Sequence, residues 1–325
     1  MKLRRAAFCT ALAASVALGL IAALHAQALP PTWNVPDVQG LPSGAWRDTV
    51  LYGRLLFSDT ATVIGPEVRD PSMRFSGNNL SCQSCHLQGG TQQYSIPMIG
   101  VYAIFPMFMA RENEVRTIED RIEGCMERSM NGRALPGDGK EMKAMVAYIQ
   151  FLSTGVPIGK TVEGRGSPAL PLLDRAASPD RGADVYAQRC IACHRADGQG
   201  IRKGVAGDAK GYLYPPVWGP DSFNDGAGMH RLIASASFIR ANMPLGTRYD
   251  MPMLFVEDAW DVAAYINTRP RPVREHLDRD YPDRSRKPVD APFPPFADGF
   301  SQAQHQFGPF RPILDAQAGR RVPAK

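Results

Sequence analysis

The apolar and polar positions along the chain fall into a few kinds of stretch. Ala6 to Leu24 form one nearly unbroken apolar run behind the basic residues Lys2, Arg4 and Arg5. Met142–Leu152 and Glu257–Asn267 are amphipathic, with apolar residues at i, i+3 and i+4, the spacing of one helix face. Both contain the tripeptide Ala-Tyr-Ile, at Ala147–Ile149 and Ala264–Ile266. Two shorter stretches, Gly53–Phe57 and Gly182–Tyr186, place an aromatic one turn after a glycine, so a second helix can pack close against each. Another helix is expected from Thr117. Asp120 follows it at the spacing of a capping box, and Asn131-Gly132 is a stop signal. Residues 271–325 are rich in Pro, Arg and Phe and show no clear period, yet Phe293, Phe296, Phe300, Phe307 and Phe310 argue that part of this segment lies against the rest of the protein. The pattern predicts a mainly α protein in which one helical module is used twice, followed by an irregular C-terminal extension.

The first apolar run ends in Ala26-Gln27-Ala28, a small-x-small cleavage pattern, so residues 1–28 read as a secretory signal and the mature chain is expected to start near Leu29. The run is nearly long enough to span a bilayer, so an uncleaved anchor is the other reading. No later segment is long and apolar enough to span. The formal charge is +5, but without residues 1–28 the balance is 34 basic against 32 acidic side chains. With no dense run of Lys and Arg, nucleic-acid binding is set aside. The predicted organisation is an N-terminal domain over 29–159, a linker over 160–179 marked by Gly164, Gly166, Pro168, Pro171 and Pro179, a C-terminal domain over 180–270, and the extension from 271.

The cysteines supply the chemistry. Cys82-Gln-Ser-Cys85-His86 and Cys190-Ile-Ala-Cys193-His194 are two copies of the C-x-x-C-H haem attachment signature. Its mechanism is specific: two thiols form thioethers to the haem vinyl groups and the adjacent His becomes the proximal iron ligand. A thioredoxin-like site needs no such His, and a zinc site would want a second paired set. Two covalent haems c are therefore expected, held by Cys82, Cys85, Cys190 and Cys193, with His86 and His194 on the irons. Cys9 leaves with the signal. Cys125 remains as an odd cysteine in an exported chain, which asks for a role.

The repeated module resembles class I cytochromes c, in which a glycine and an aromatic on the opening helix meet an aromatic on the closing one. The resemblance implies two such domains in tandem, each with one haem. Asn242-Met243-Pro244 resembles the Met-Pro loop of that class, which makes Met243 the candidate distal ligand of the second haem, with Met251 and Met253 as rivals. A His/Met pair raises the potential and suits an electron-relay haem.

In the expected helix after Thr117, Arg121, Cys125 and Ser129 are spaced i, i+4, i+8 and share a face. Three readings of Cys125 stand: a buried structural thiol, a disulfide half without a partner in the mature chain, or a haem ligand or reactive thiolate favoured by neighbouring arginines. The run from Arg121 to Gly132, Arg-Ile-Glu-Gly-Cys-Met-Glu-Arg-Ser-Met-Asn-Gly, resembles the thiosulfate dehydrogenase family, tetrathionate-forming dihaem cytochromes c of bacterial periplasms. Arg111, Arg116, the Asn-Met-Pro loop and Lys287-Pro-Val-Asp-Ala-Pro-Phe293 support the resemblance, which covers nearly the whole mature chain. It implies that Cys125 is the distal ligand of the first haem iron, that Arg111, Arg116, Arg121 and Ser129 belong to the substrate site, and that the chain joins two thiosulfates into tetrathionate in the periplasm. The electrons would go to a small soluble acceptor such as a cytochrome c or a high-potential iron-sulfur protein. The alternatives are a dihaem electron carrier with no substrate of its own and a sulfur-oxidation thiosulfotransferase cytochrome.

Overall fold

The structure is a computed structural model and describes residues 32–321. The signal-peptide reading, with Cys9 and the cleavage pattern, lies outside the described residues.

The N-terminal module opens with helix α1 (Ala45–Ser58) and a short α2 (Thr60–Ile64). The first C-x-x-C-H follows on a single tight turn, Cys82–Ser84. A two-stranded antiparallel ribbon, β1 (Met107–Met109) and β2 (Glu114–Arg116), leads into α3 (Ile118–Arg128). Helix α3 starts as its sequence predicts: the Thr117 hydroxyl accepts the Asp120 N–H and the Asp120 carboxylate accepts the Thr117 N–H. The regular helix ends at Arg128, and Asn131 then turns left-handed with φ 46°. Helix α4 (Lys140–Phe151) closes the module.

Closure depends on a close helix crossing. A Cβ built on Gly53 of α1 would sit 1.9 Å from the Ala144 carbonyl oxygen of α4. The aromatics predicted to seal the crossing do so, with the Phe57 and Tyr148 rings 5.7 Å apart. The second module repeats the arrangement. Its opening helix α5 (Pro179–Arg189) starts with Ser178 as cap, one residue before the expected boundary, and crosses α8 (Val256–Asn267) at Gly182, where a Cβ would sit 1.9 Å from the Asp261 carbonyl oxygen. Tyr186 and Tyr265 pack with ring centroids 5.4 Å apart. Between them lie α6 (Ile191–His194), the ribbon β3 (Ile201–Arg202) with β4 (Tyr212–Tyr214), and α7 (Leu232–Asn242). Each module has its own core, one around Leu56, Ile64, Met126 and Met142, the other around Tyr186, Leu232, Trp260 and Val262. The result is a mainly helical protein of two like modules in tandem, with few strands.

Two segments are more ordered than their sequence suggests. The glycine- and proline-rich connection is laced onto both modules. Val162 is buried in the first core, the Gly164 carbonyl accepts the Tyr94 N–H at 2.7 Å, and the Pro171 carbonyl accepts the Trp260 indole N–H at 3.0 Å. The C-terminal extension carries two helices, α9 (Gln302–Phe307) and α10 (Arg311–Arg321), that no periodicity announced. It also buries Val289, Ala291, Phe310 and Ile313. Its buried acid Asp290 caps α7, its carboxylate accepting the Ile233 N–H at 3.0 Å and pairing with Arg231 at 3.2 Å.

Candidate haem and substrate sites

Both C-x-x-C-H segments present their histidines in the same way. Nδ1 of His86 bonds the Ile96 carbonyl, and Nδ1 of His194 bonds the Pro215 carbonyl at 2.8 Å. A carbonyl accepts only, so each Nδ1 carries the proton and each Nε2 is left with a free lone pair, the arrangement of an iron-ligating imidazole. Burial pulls His86 down to about 4, the Ile96 carbonyl opposing it and Arg121 adding a smaller depression. His194 is also lowered, by burial first.

One cavity of about 1160 Å³ reaches both sites, lined by Cys190, Cys193, His194 and Met243 on the second module and by Leu80, Cys85 and Leu87 on the first. The candidate ligands from the sequence separate clearly here. Met243 caps the end of α7 and packs partly buried on the second core. Met251 and Met253 are 68% and 54% exposed, and neither lines the cavity.

The first site is approached by α3. Burial first, with a contribution from Cys125, pushes Cys82 up to about 12 and Cys85 up to about 11. Once the two thiols are thioethers they no longer titrate, and what persists is that Cys125 lies within electrostatic reach of both attachment cysteines and Arg121 within reach of His86. All five cysteines among the described residues are free and partly buried, so Cys125 has no disulfide partner there. Gly124 beside it has no atom within 4 Å of a built Cβ, so this flank of the helix is open.

The remaining candidates fare unequally. The Arg121 guanidinium and the Ser129 hydroxyl have no hydrogen-bond or ion-pair partner among the described residues, while the Ser129 carbonyl accepts from Asn78 at 3.0 Å. Arg116 is already paired, with Glu114 at 3.3 Å and Asp120 at 4.0 Å, at the opposite end of α3. Arg111 sits at the tip of the β1–β2 ribbon. Its Nε lies 3.4 Å from the Tyr281 hydroxyl and 3.9 Å from Asp280. Asp280 also pairs with the buried Arg128, at 2.7 Å and 2.8 Å, so the ribbon tip and the last turn of α3 meet at one carboxylate of the extension. Sequence reasoning missed Asp280 and Tyr281, and it gave Asn242 no role beyond its place in the Asn-Met-Pro loop. The only signal was that the extension carried one of the resembling segments, to which no role could be given.

The two modules and their attachment sites define a dihaem c-type cytochrome with two covalently bound haems. The SoxA/TsdA, cytochrome c domain family matches residues 74–158, and the Cytochrome c family matches residues 179–270. A thiosulfate dehydrogenase from Allochromatium vinosum is 43% identical over 265 residues, covering 79% of this chain and 91% of the relative. One from Stutzerimonas stutzeri is 38% identical over 237 residues, covering 73% and 72%. The solved thiosulfate dehydrogenase TsdBA from Marichromatium purpuratum, in its as-isolated form, superposes with a TM-score of 0.68 at 37% identity over 76% of this chain, which spans 51% of the length of that one. The chain belongs to the thiosulfate dehydrogenase family. Among the described residues no helix is long and apolar enough to cross a membrane.

Proposed function

We propose that this protein oxidises two thiosulfate ions to tetrathionate at the N-terminal haem and passes the two electrons out through the C-terminal haem, in the periplasm. The observation that carries the reading is one face of α3 on which Cys125 lies within electrostatic reach of the first attachment cysteines, with the Arg121 guanidinium and the Ser129 hydroxyl free of partners among the described residues. When bound, the haems supply two one-electron redox centres.

The protein's own residues perform the rest. Thiosulfate is a dianion, and two of them must be brought together against repulsion. Arginine is always charged and its planar fork binds oxyanions at two points. Arg121, one turn before Cys125, presents an anion with its outer sulfur toward the cysteine. Ser129, one turn after, adds a hydroxyl donor. Arg111 closes the site from the ribbon tip. Arg116, already compensated by Glu114 and Asp120, is the arginine that the geometry supports least. Cys125 would help hold the first haem iron with His86, and Met243 the second with His194. No proton is taken up or released in joining two thiosulfates, so the site needs no general base.

The electron acceptor is a small redox protein that docks on the second module over the rim of the shared cavity. Leu213 and Leu245 line that cavity and are 60% and 73% exposed, an apolar rim suited to brief contact. A steady-state assay of the holoprotein with thiosulfate and an artificial one-electron acceptor tests the reading. One tetrathionate should appear per two electrons transferred. Acceptor reduction without tetrathionate would overturn it in favour of an electron carrier or a transferase.

A further inference from the structure

We infer that Asp280 and Tyr281, in the C-terminal extension, are positioning residues for the substrate anion, acting through Arg111. The inference rests on Arg111 being a substrate residue.

The argument begins with what holds Arg111. Its side chain is largely buried, and all of its polar contacts to the protein fall on Nε: the Tyr281 hydroxyl at 3.4 Å and Asp280 at 3.9 Å. Its guanidinium carbon lies 5.8 Å from the centre of the Tyr281 ring. Neither Nη atom has a hydrogen-bond partner among the described residues. Glu112, next in the chain, is within electrostatic reach but makes no hydrogen bond to it. A guanidinium on a largely buried side chain, held by its Nε with its two terminal nitrogens free of protein partners, is a fork set for an oxyanion.

Asp280 does not neutralise this fork. Its two oxygens are engaged by Arg128 at 2.7 Å and 2.8 Å, which leaves Arg111 the longer approach. Because Arg128 closes α3 one turn after Cys125, the same carboxylate ties the ribbon tip to the helix that carries Cys125 and Ser129. Backbone contacts lock the arrangement. The Tyr281 N–H donates to the Arg111 carbonyl at 2.7 Å, and Tyr281 is itself 5% exposed, with a left-handed φ of 58°. Arg284 donates to the Tyr281 carbonyl at 2.8 Å and to the Asp280 carbonyl, fixing the pair from the far side. The extension therefore completes the substrate site as well as covering the cores.

The test is a double-mutant cycle on the full-length holoprotein, read as KM and kcat for thiosulfate. Tyr281→Phe removes one hydroxyl and keeps the packing. It should raise KM about 3- to 10-fold, the size of one hydrogen bond, with a smaller change in kcat and unaltered haem spectra. Arg111→Ala should raise KM further, and Tyr281→Phe added to it should then have almost no effect, because a residue acting only through Arg111 has nothing left to position. Asp280→Glu, which keeps the charge that Arg128 needs, should recover more affinity than Asp280→Asn. An unchanged KM in Tyr281→Phe, or its full effect persisting beside Arg111→Ala, overturns the inference while leaving Arg111 as a substrate residue. An unchanged KM in Arg111→Ala removes both.

Discussion

The side chain of Asn242 joins the two modules, its Oδ1 accepting from Gln92 Nε2 at 2.9 Å. The same oxygen accepts from the Ser95 hydroxyl, and Asn242 Nδ2 donates to the carbonyls of Tyr94 at 3.3 Å and Phe238 at 3.0 Å. Asn242 directly precedes Met243. Ser95 directly precedes Ile96, whose carbonyl holds Nδ1 of His86. One amide thus links the segment that holds His86 Nδ1 to the residue beside Met243. Asn242→Ala leaves buried hydroxyl and amide groups unpaired and should cost about 1–3 kcal/mol of stability. It should also shift the midpoint potentials of both haems in a redox titration. A shift confined to the second haem would show that the bridge carries no coupling.

Cys125→Ala should retain both haems, since the thioethers and proximal histidines are untouched, yet lose nearly all tetrathionate formation. Electron paramagnetic resonance of the oxidised protein should show one thiolate-type low-spin signal in wild type and none in the variant. Turnover near wild type would end the assignment of Cys125 to the chemistry.

Met243→Ala should change the potential of the second haem and its methionine–iron charge-transfer band, with KM for thiosulfate nearly unchanged. Met251→Ala and Met253→Ala should leave the band intact, because both side chains stand largely in solvent. A lost band in either of those two instead would reassign the ligand.

Local chemistry explains what the sequence revealed. The C-x-x-C-H motifs, the capping box of α3 and the glycine-aromatic pairs at Gly53–Phe57 and Gly182–Tyr186 are short-range signals, each complete within about a turn or two of chain. They were sufficient to place the two modules and to put Cys125 with Arg121 on one face of α3. The pairing of Asp280 with Arg128 spans 152 residues, and that of Asn242 with Gln92 spans 150, with no periodicity at either end. The extension hid its helices for a related reason. Helix α9 has six residues, too short to show a period, and α10 has little apolar asymmetry because Ile313 and the preceding Phe310 do most of its anchoring.

The glycines at the two helix crossings allow a matched comparison. In a helix interior, Gly→Ala normally gains about 1 kcal/mol, because alanine loses less backbone entropy on folding. At Gly53 and Gly182 the new methyl would lie 1.9 Å from a carbonyl oxygen of the partner helix, and backbone cannot swing aside as a side chain can. The helices must separate instead, which opens the aromatic seal at Tyr148 or Tyr265. Overpacking of this kind typically costs about 1–3 kcal/mol, so the clash should outweigh the propensity gain and each variant should unfold at lower temperature. Each should also lose haem mainly from its own module, read from the haem content of the purified protein. Gly124→Ala is the contrasting case, since its methyl would meet no protein atom within 4 Å. If α3 approaches the first haem along this flank, that variant should perturb the thiolate signal although the protein leaves room for the methyl. A more stable protein with an unchanged signal would mean that the haem lies elsewhere along the helix.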